Sequence, residues 1–268
     1  MKLLSLNTAG RLKKIHLQIE QILSENCDVL CLQEVIQNTK KIFYEELPKF
    51  GFKYIADNSF ENPAEHKGPR KYCLLTASKV KIIKLENFAE VGWSEKILRT
   101  RFWKGDKKIE LVNTQIPPGS SNGVRKEITF KEIYKNLEKS KHKYKILCGD
   151  WNSPQEEFPG GKIMTWGEKY GRNKEITKYK ANKDECERLL LEKTNNLDLY
   201  DDFRRVHGYK VNEYSWVHKN KTKTTHRRYD HIYSTKNLDL KDCHYEHSFR
   251  EKGLSDHSAI VSEYEIED

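Results

Sequence analysis

The chain has 268 residues, 36% of them hydrophobic and 33% charged, and a mean hydropathy of -0.87. Those values allow one sizeable core and exclude a membrane-embedded protein. A formal net charge of +9 favours polyanionic partners, nucleic acid ahead of an anionic membrane surface, although a lysine-rich proteome would give the same bias.

The opening Leu4-Ser5-Leu6-Asn7 reads as an apolar strand ending in an amide, and its apolar run is too short for a signal peptide. Arg11 to Ser24 carries Ile15, Ile19, Ile22 and Leu23 at helical spacing, with Lys13, Lys14, Gln18 and Glu20 on the other side. Asp28 to Glu34 is a second apolar strand, so the chain opens strand–helix–strand. A helix over Thr39–Leu47 is expected to stop at Pro48, followed by a polar loop from Asn58 to Lys71. Short strands follow at Tyr72–Ala77, Lys81–Leu85, Ile97–Trp103 and Ile109–Thr114.

The turn-rich Pro117–Gly123 segment leads into a helix over Arg125–Ser140, with Ile128, Ile133, Tyr134 and Leu137 inward. Ile146 to Asn152 is a third apolar strand, ending in Asp-x-Asn, and a loop through Pro154, Pro159, Gly160 and Gly161 follows. Asp184–Lys193 reads as helical. Tyr214–Val217 and Tyr229–Tyr233 read as paired strands joined by the basic segment Lys219–Arg228. Last comes Gly253-Leu254-Ser255-Asp256-His257-Ser258 at the mouth of a terminal strand. Strands outnumber isolated helices, which predicts packed sheets with helices outside. The candidate site segments run from the first strand to the last, so one domain over 1–268 is expected. Six dispersed cysteines (Cys27, Cys31, Cys73, Cys148, Cys186 and Cys243) form no Cys-x-x-Cys pair and read as reduced structural thiols of a cytoplasmic protein.

Four apolar strands that end in Asn, Glu, Asp or His are what a metal-dependent phosphoesterase on a β-sandwich needs. Asp150 and Asn152 alternate along a strand, so both side chains can point one way while Trp151 points the other. A carboxylate beside an amide can take a proton from a water and hold that water in line for attack on phosphorus. An Asx turn would use the same residues for local backbone bonds. Glu34 at the end of an apolar strand is costly unless solvated, paired or on a metal. Hard cations such as Mg²⁺ prefer one or two carboxylates with waters and phosphate oxygens, which Glu34 and Asp256 would supply, with Asn7 as a neutral ligand or a brace. An ordinary surface charge is the plainer reading of Glu34. His257, if cationic, could donate to a phosphate oxygen, with Asp230 to fix its tautomer and raise its pKa; a strand-capping histidine is the plainer reading.

In this order the segments Leu6-Asn7, Leu32-Gln33-Glu34-Val35, Asn113-Thr114-Gln115, Cys148-Gly149-Asp150-Trp151-Asn152, Arg228-Tyr229-Asp230 and Leu254-Ser255-Asp256-His257 resemble the endonuclease/exonuclease/phosphatase superfamily, in a prokaryotic branch. The resemblance covers essentially the whole chain. It implies a deoxyribonuclease I-like four-layered α/β sandwich, two packed and mostly antiparallel sheets flanked by helices. It also implies a Mg²⁺-dependent phosphodiesterase, with Mn²⁺ as a substitute, that hydrolyses nucleic acid by water attack. Glu34 would hold the metal with Asn7 and Asp256 close by, Asp150 and Asn152 would handle the water and the phosphate, and Asp230 would orient His257. Three positions depart from the family pattern. Gln115 stands where His or Tyr is common, Ala9 where abasic-site endonucleases carry an acid or amide, and Arg227 where they place an aromatic wedge.

A nuclease would grip phosphates with Gln115, with Asn122 and Arg125 of the Ser120–Lys126 loop, and with Arg227 and Arg228 of the basic run. Trp93, Trp103 or Trp216 could stack on bases, core packing being the alternative. DNA is expected ahead of RNA, with no membrane partner and a monomeric enzyme. A small-molecule or lipid phosphoesterase on the same fold would use the same catalytic residues. A binding module with a dead site is disfavoured by the intact set from Asn7 to His257.

Overall fold

The computed structural model describes residues 1–60, 70–87, 93–120 and 122–266. Two six-stranded sheets dominate. The first runs, in spatial order, Asp239–Glu246, Ala259–Glu265, Lys2–Asn7, Val29–Val35, Cys73–Ser78 and Tyr54–Asp57. The second runs Leu199–Asp201, Asp230–Thr235, Tyr144–Asp150, Lys107–Gln115, Ile97–Lys104 and Ile82–Leu85. Each sheet is antiparallel except for its central pair, Lys2–Asn7 with Val29–Val35 in one and Lys107–Gln115 with Tyr144–Asp150 in the other. A parallel pair needs a crossover, and the helices Ile15–Ser24 and Arg125–Lys139 provide the two.

The sheets pack face to face through Leu3, Val29, Cys31 and Ile260 against Phe102, Leu111, Ile146, Cys148 and Ile232. The outer face of the first sheet is covered by Ile15, Ile19, Ile22 and Phe43 from the helices Ile15–Ser24 and Gln37–Glu46. The outer face of the second is covered by Phe130, Ile133, Leu137, Cys186 and Leu190 from Arg125–Lys139 and Ala181–Leu191. This is the expected four-layered sandwich. All six cysteines are free and buried. Among the described residues no helix is long and apolar enough to cross a membrane.

Several local expectations are corrected. The second helix ends at Glu46, and Pro48 lies inside a following 3-10 turn, Leu47–Phe50, closed by Gly51 at φ 91°. The inward face of Arg125–Lys139 is built on Phe130, with Ile133 and Leu137, while Ile128 and Tyr134 are only partly buried. Gln18, assigned to the polar side of the first helix, is fully buried; its Nε2 donates to the carbonyls of Thr8 (2.9 Å) and Leu254 (2.6 Å). Trp216–Lys219 pairs with Thr224–Arg227 and not with the Tyr229–Tyr233 segment. Asn220 Oδ1 accepts the amides of Thr222 and Lys223 and closes a hairpin inside the basic run. Asp230–Thr235 is instead a central strand of the second sheet, between Leu199–Asp201 and Tyr144–Asp150. Residues 61–69 of the expected polar loop, and Ser121, lie outside the described residues.

The two parallel pairs decide where polar groups gather. Asn7, Glu34, Gln115 and Asp150 all lie at the carboxyl ends of parallel strands, so the two sheets bring them to one edge of the sandwich. Asp230 joins them because it is in register with Asp150.

Candidate active site

Asp150 is the last residue of its strand and is 1% exposed. Its Oδ2 accepts from Asn7 Nδ2 (2.9 Å) and Asn152 Nδ2 (3.2 Å), and its Oδ1 accepts the Asn152 amide (2.9 Å). The bond to Asn7 crosses between the sheets. The amide bond is an Asx turn, so the turn and the polar cluster coexist. Asn152 sits at φ 49°, a left-handed conformation an amide side chain tolerates. Trp151 points the opposite way into the core, stacked on His231 with ring centroids 4.4 Å apart. Gly149 is obligatory: at φ 136°, a Cβ would lie 1.8 Å from the Thr114 carbonyl oxygen of the neighbouring parallel strand.

His257 is 5% exposed, with Nδ1 2.7 Å from Asp230 Oδ2 and Nε2 4.0 Å from Asp150 Oδ2. It is held by more than a strand cap. Ser255 Oγ accepts the His257 amide (3.0 Å) and donates to the Asn7 carbonyl (2.6 Å), and His257 also bridges to Trp216. Asp230 is placed by Ser215, whose hydroxyl accepts its amide (3.1 Å), and by Tyr245, which donates to its carbonyl (2.6 Å).

The electrostatics follow from burial in a cluster of acids. Burial is the largest influence on Asp150 and raises its pKa; Asp230 adds to the rise, His257 opposes it, and the carboxyl comes to about 7. Burial alone would lower His257, but Asp230 and then Asp150 overcome it and lift the imidazole to about 10. At neutral pH the site therefore holds an imidazolium beside a carboxyl group poised to gain or lose a proton.

Glu34 is positioned by a bulge. Pairing of its strand with Cys73–Ser78 shifts between Leu32 and Val35, and Glu34 takes φ 52°, which re-aims its side chain. Its Oε1 accepts from Gln115 Nε2 at 2.6 Å, and Gln115 Oε1 in turn accepts from Lys96 Nζ at 2.5 Å. Lys96 is 6% exposed, and Glu34 and Asp150 are among the charges acting on it. Asp256, which is exposed, and the half-buried Glu34 both lie within electrostatic reach of Arg70. These are hard oxygen donors and fit a divalent cation. Asn7 already accepts the Ala9 amide on Oδ1 at 2.9 Å, which leaves it one lone pair. Asp150, Asp230 and His257 also bring ligand-type atoms within 4.8 Å of one another. The Nδ1–Asp230 hydrogen bond commits Asp230 Oδ2, and a protonated His257 offers no lone pair, so a cation there would be left with the carboxylate oxygens of Asp150 and Asp230.

The expected substrate-gripping residues are dispersed. Arg228 is not at the surface: it is 6% exposed and forked between Glu157 (2.7 Å) and Asp201 (2.6 Å). Arg227 faces Trp216 across the hairpin and borders a groove of about 440 Å³ with Pro154, Glu156, Tyr214, Lys223 and His226. Arg125 lies over the Trp93 ring, and Asn122 donates to the Pro118 carbonyl. Trp103 is 45% exposed, six residues along its strand from the Ile97 end beside Lys96. Lys96, Ser215 and the support behind Asn152 were missed, because a buried lysine or serine has no periodic or motif signal of its own.

No curated protein matches the chain. Among solved structures it is similar to an AP endonuclease from Archaeoglobus fulgidus (TM-score 0.74, 17% identity, 99% of this chain and 100% of that one). It is also similar to a 3′ phosphatase from Neisseria bound to a product DNA hairpin (0.67, 19%, 99% and 100%). A third likeness is an endonuclease/exonuclease/phosphatase family protein from Leptotrichia buccalis (0.66, 18%, 99% and 100%). At these identities the likeness is one of fold. The model of the Endonuclease/Exonuclease/phosphatase family matches residues 4–257, from the first strand to the cleft histidine, and the chain belongs to that family.

Proposed function

We propose that the chain is a divalent-metal-dependent phosphodiesterase that cleaves nucleic acid by attack of water on phosphorus. The observation that carries this reading is the Asp150–His257–Asp230 arrangement, a buried carboxyl with a pKa of about 7 beside an imidazolium held by a second carboxylate. A base whose pKa lies near the working pH combines a useful ionised fraction with driving force for proton transfer. Asp150 takes the proton of the attacking water, which Asn152 and Asn7 help to hold through the same carboxylate. His257 presents Nε2–H to a non-bridging phosphate oxygen as negative charge builds there.

Glu34 and Asp256 would hold Mg²⁺ or Mn²⁺, with Gln115 fixing the Glu34 carboxylate. Bound there, the cation would neutralise charge on the phosphate and supply acidity for the leaving oxygen, which neutral Gln115 cannot protonate. The net charge of +9 and the lysines of the 219–223 hairpin suit a polyanionic strand. DNA is favoured because the fold's likenesses include an AP endonuclease and a 3′ phosphatase seen with a DNA hairpin. The test is turnover of DNA, RNA, abasic DNA and bis(p-nitrophenyl) phosphate with Mg²⁺, with Mn²⁺ and in EDTA. Cleavage of DNA that weakens steeply with salt supports the reading. Turnover of the small diester alone, insensitive to salt, moves the chain to small phosphoesters.

A further inference from the structure

The backbone turn that carries Asp150 and Asn152 is held from behind by groups that never reach the cleft. Asn152 keeps the left-handed φ of 49° that an Asn side chain tolerates. Its carbonyl accepts two hydrogen bonds, from Lys126 Nζ at 2.6 Å and from Trp166 Nε1 at 2.9 Å. Lys126 belongs to the first turn of the Arg125–Lys139 helix and is 1% exposed. Expected on the sequence to lie in a phosphate-gripping loop, it is internal. Its ammonium lies 3.7 Å from Glu187 Oε1, on the Ala181–Leu191 helix, and over the Trp166 ring.

Glu187 closes the network. Its Oε2 accepts from Ser153 Oγ (2.9 Å) and from the Trp166 amide (3.1 Å), while Oε1 has no hydrogen-bond donor among the described residues. The Ser153 carbonyl meets His231 Nε2 at 2.9 Å. Two consecutive residues of the turn, Asn152 and Ser153, are thus tied to the helices Arg125–Lys139 and Ala181–Leu191, to Trp166 and to the strand Asp230–Thr235.

As a device for stability this is a poor choice. A buried ion pair loses more in desolvation than it recovers unless its geometry is excellent, and here the pair is separated by 3.7 Å. The short contact of Lys126 is with a single backbone oxygen. What that contact fixes is the peptide plane of Asn152, which together with the Nδ2 bond to the Ile116 carbonyl (2.9 Å) sets the direction of the side chain that reaches Asp150 Oδ2. A group that is displaced by about an ångström in a reacting constellation loses roughly a hundredfold in rate.

We infer that Lys126, with Trp166 and Glu187, is a positioning network for Asn152, acting on turnover through the backbone of the Asp150–Ser153 turn. The inference rests on the reading of Asp150 and Asn152 as the water-handling pair.

The test uses bis(p-nitrophenyl) phosphate and a cleavable oligonucleotide with full-length protein, assayed well below the Tm of every variant. Lys126→Met alone should lower both Tm and kcat, since Glu187 then loses the cation 3.7 Å from its Oε1. The double variant Lys126→Met/Glu187→Gln removes both charges and keeps the volume. Its Tm should return close to wild type while kcat stays at least about tenfold down and KM changes less than about threefold. Trp166→Phe, which removes the indole donor and some ring volume but keeps an aromatic face towards Lys126, should lower kcat by a few fold with a modest loss of Tm. Wild-type kcat in the double variant overturns the inference; if the double variant does not fold, wild-type kcat in Trp166→Phe overturns it. Asn152→Ala separates the two levels. If it turns over normally, the reading of the pair fails; if it is inactive while the network variants are normal, only the positioning role fails.

Discussion

Replacing Asp230 with Asn keeps the shape of the side chain and removes the charge that holds His257 protonated. The imidazole is buried, which by itself drives it towards the neutral form, yet Asp230 and Asp150 bring its pKa to about 10. Charge centres roughly 4 Å apart at an effective dielectric of about 20 interact by about 4 kcal/mol, or roughly 3 pK units. Subtracting about 3 units from about 10 puts His257 of the variant near 7. The Asn carbonyl can still accept from Nδ1, so tautomer and ring orientation survive. The assay is a pH titration of the histidine ring nitrogens by NMR in metal-free protein, with His257→Gln to assign the resonance. The wild-type ring should stay protonated at pH values about 2 units above that of a free histidine, while the variant ring titrates near neutrality. The sign for stability follows. A histidine whose folded pKa exceeds its unfolded value stabilises fully below about pH 6.5, and the gain is lost as pH rises through about 10. The Tm advantage of wild type over Asp230→Asn should therefore be largest in mild acid and vanish in strong base. Coincident titrations of the two proteins, or a wild-type ring that titrates near 6.5, would refute the reasoning.

Asp150→Asn should cut the chemical step by on the order of 10²–10⁴-fold, as loss of a general base does. The folded carboxyl, raised to about 7, stays protonated while the unfolded one ionises from about pH 4 upward, which costs stability between about pH 4 and 7, so the variant should gain Tm over wild type across that window. Near-normal turnover in this variant would move the base elsewhere. Metal removal with EDTA should abolish activity, and Mg²⁺ or Mn²⁺ should restore it; full activity in excess chelator contradicts the cation site. Gln115→Ala frees the Glu34 carboxylate and should raise the Mg²⁺ concentration needed for half-maximal rate, whereas an unchanged Mg²⁺ curve would separate Gln115 from the metal. Gly149→Ala should cost several kcal/mol, about 10 °C or more in Tm, because the added methyl overlaps the Thr114 carbonyl. Normal melting of that variant by circular dichroism would mean that the parallel strands are spaced differently.

The parallel core strands were legible because they are buried on both faces and read as near-continuous apolar runs, in which a terminal Asn7, Glu34 or Asp150 stands out. The Asp230–His257 pair was legible as two polar residues at apolar strand ends. Asp239–Glu246 carried no such signal, because it is an edge strand whose residues are mostly polar. The partner of Trp216–Lys219 was misassigned because two stretches of β-forming residues lay within reach of the same turn, and only the Asn220 bonds select the nearer one. Gln18, Lys96 and Lys126 were illegible for a common reason. Each is a polar side chain at a position where local pattern predicts solvent, and each is buried because a backbone or amide oxygen from a distant segment comes to meet it.

The strand Ala259–Glu265 lies between Lys2–Asn7 and Asp239–Glu246. During synthesis the first strand leaves the ribosome with its outer edge open, and more than two hundred residues must follow before its neighbour exists. An open apolar edge is a template for pairing with other chains, so this stretch of translation is when the protein is most prone to aggregate. His257 lies two residues before the start of that closing strand. A nascent or prematurely released chain can therefore form much of the second sheet while it lacks the imidazole, and the sandwich acquires its chemistry at the step that seals it.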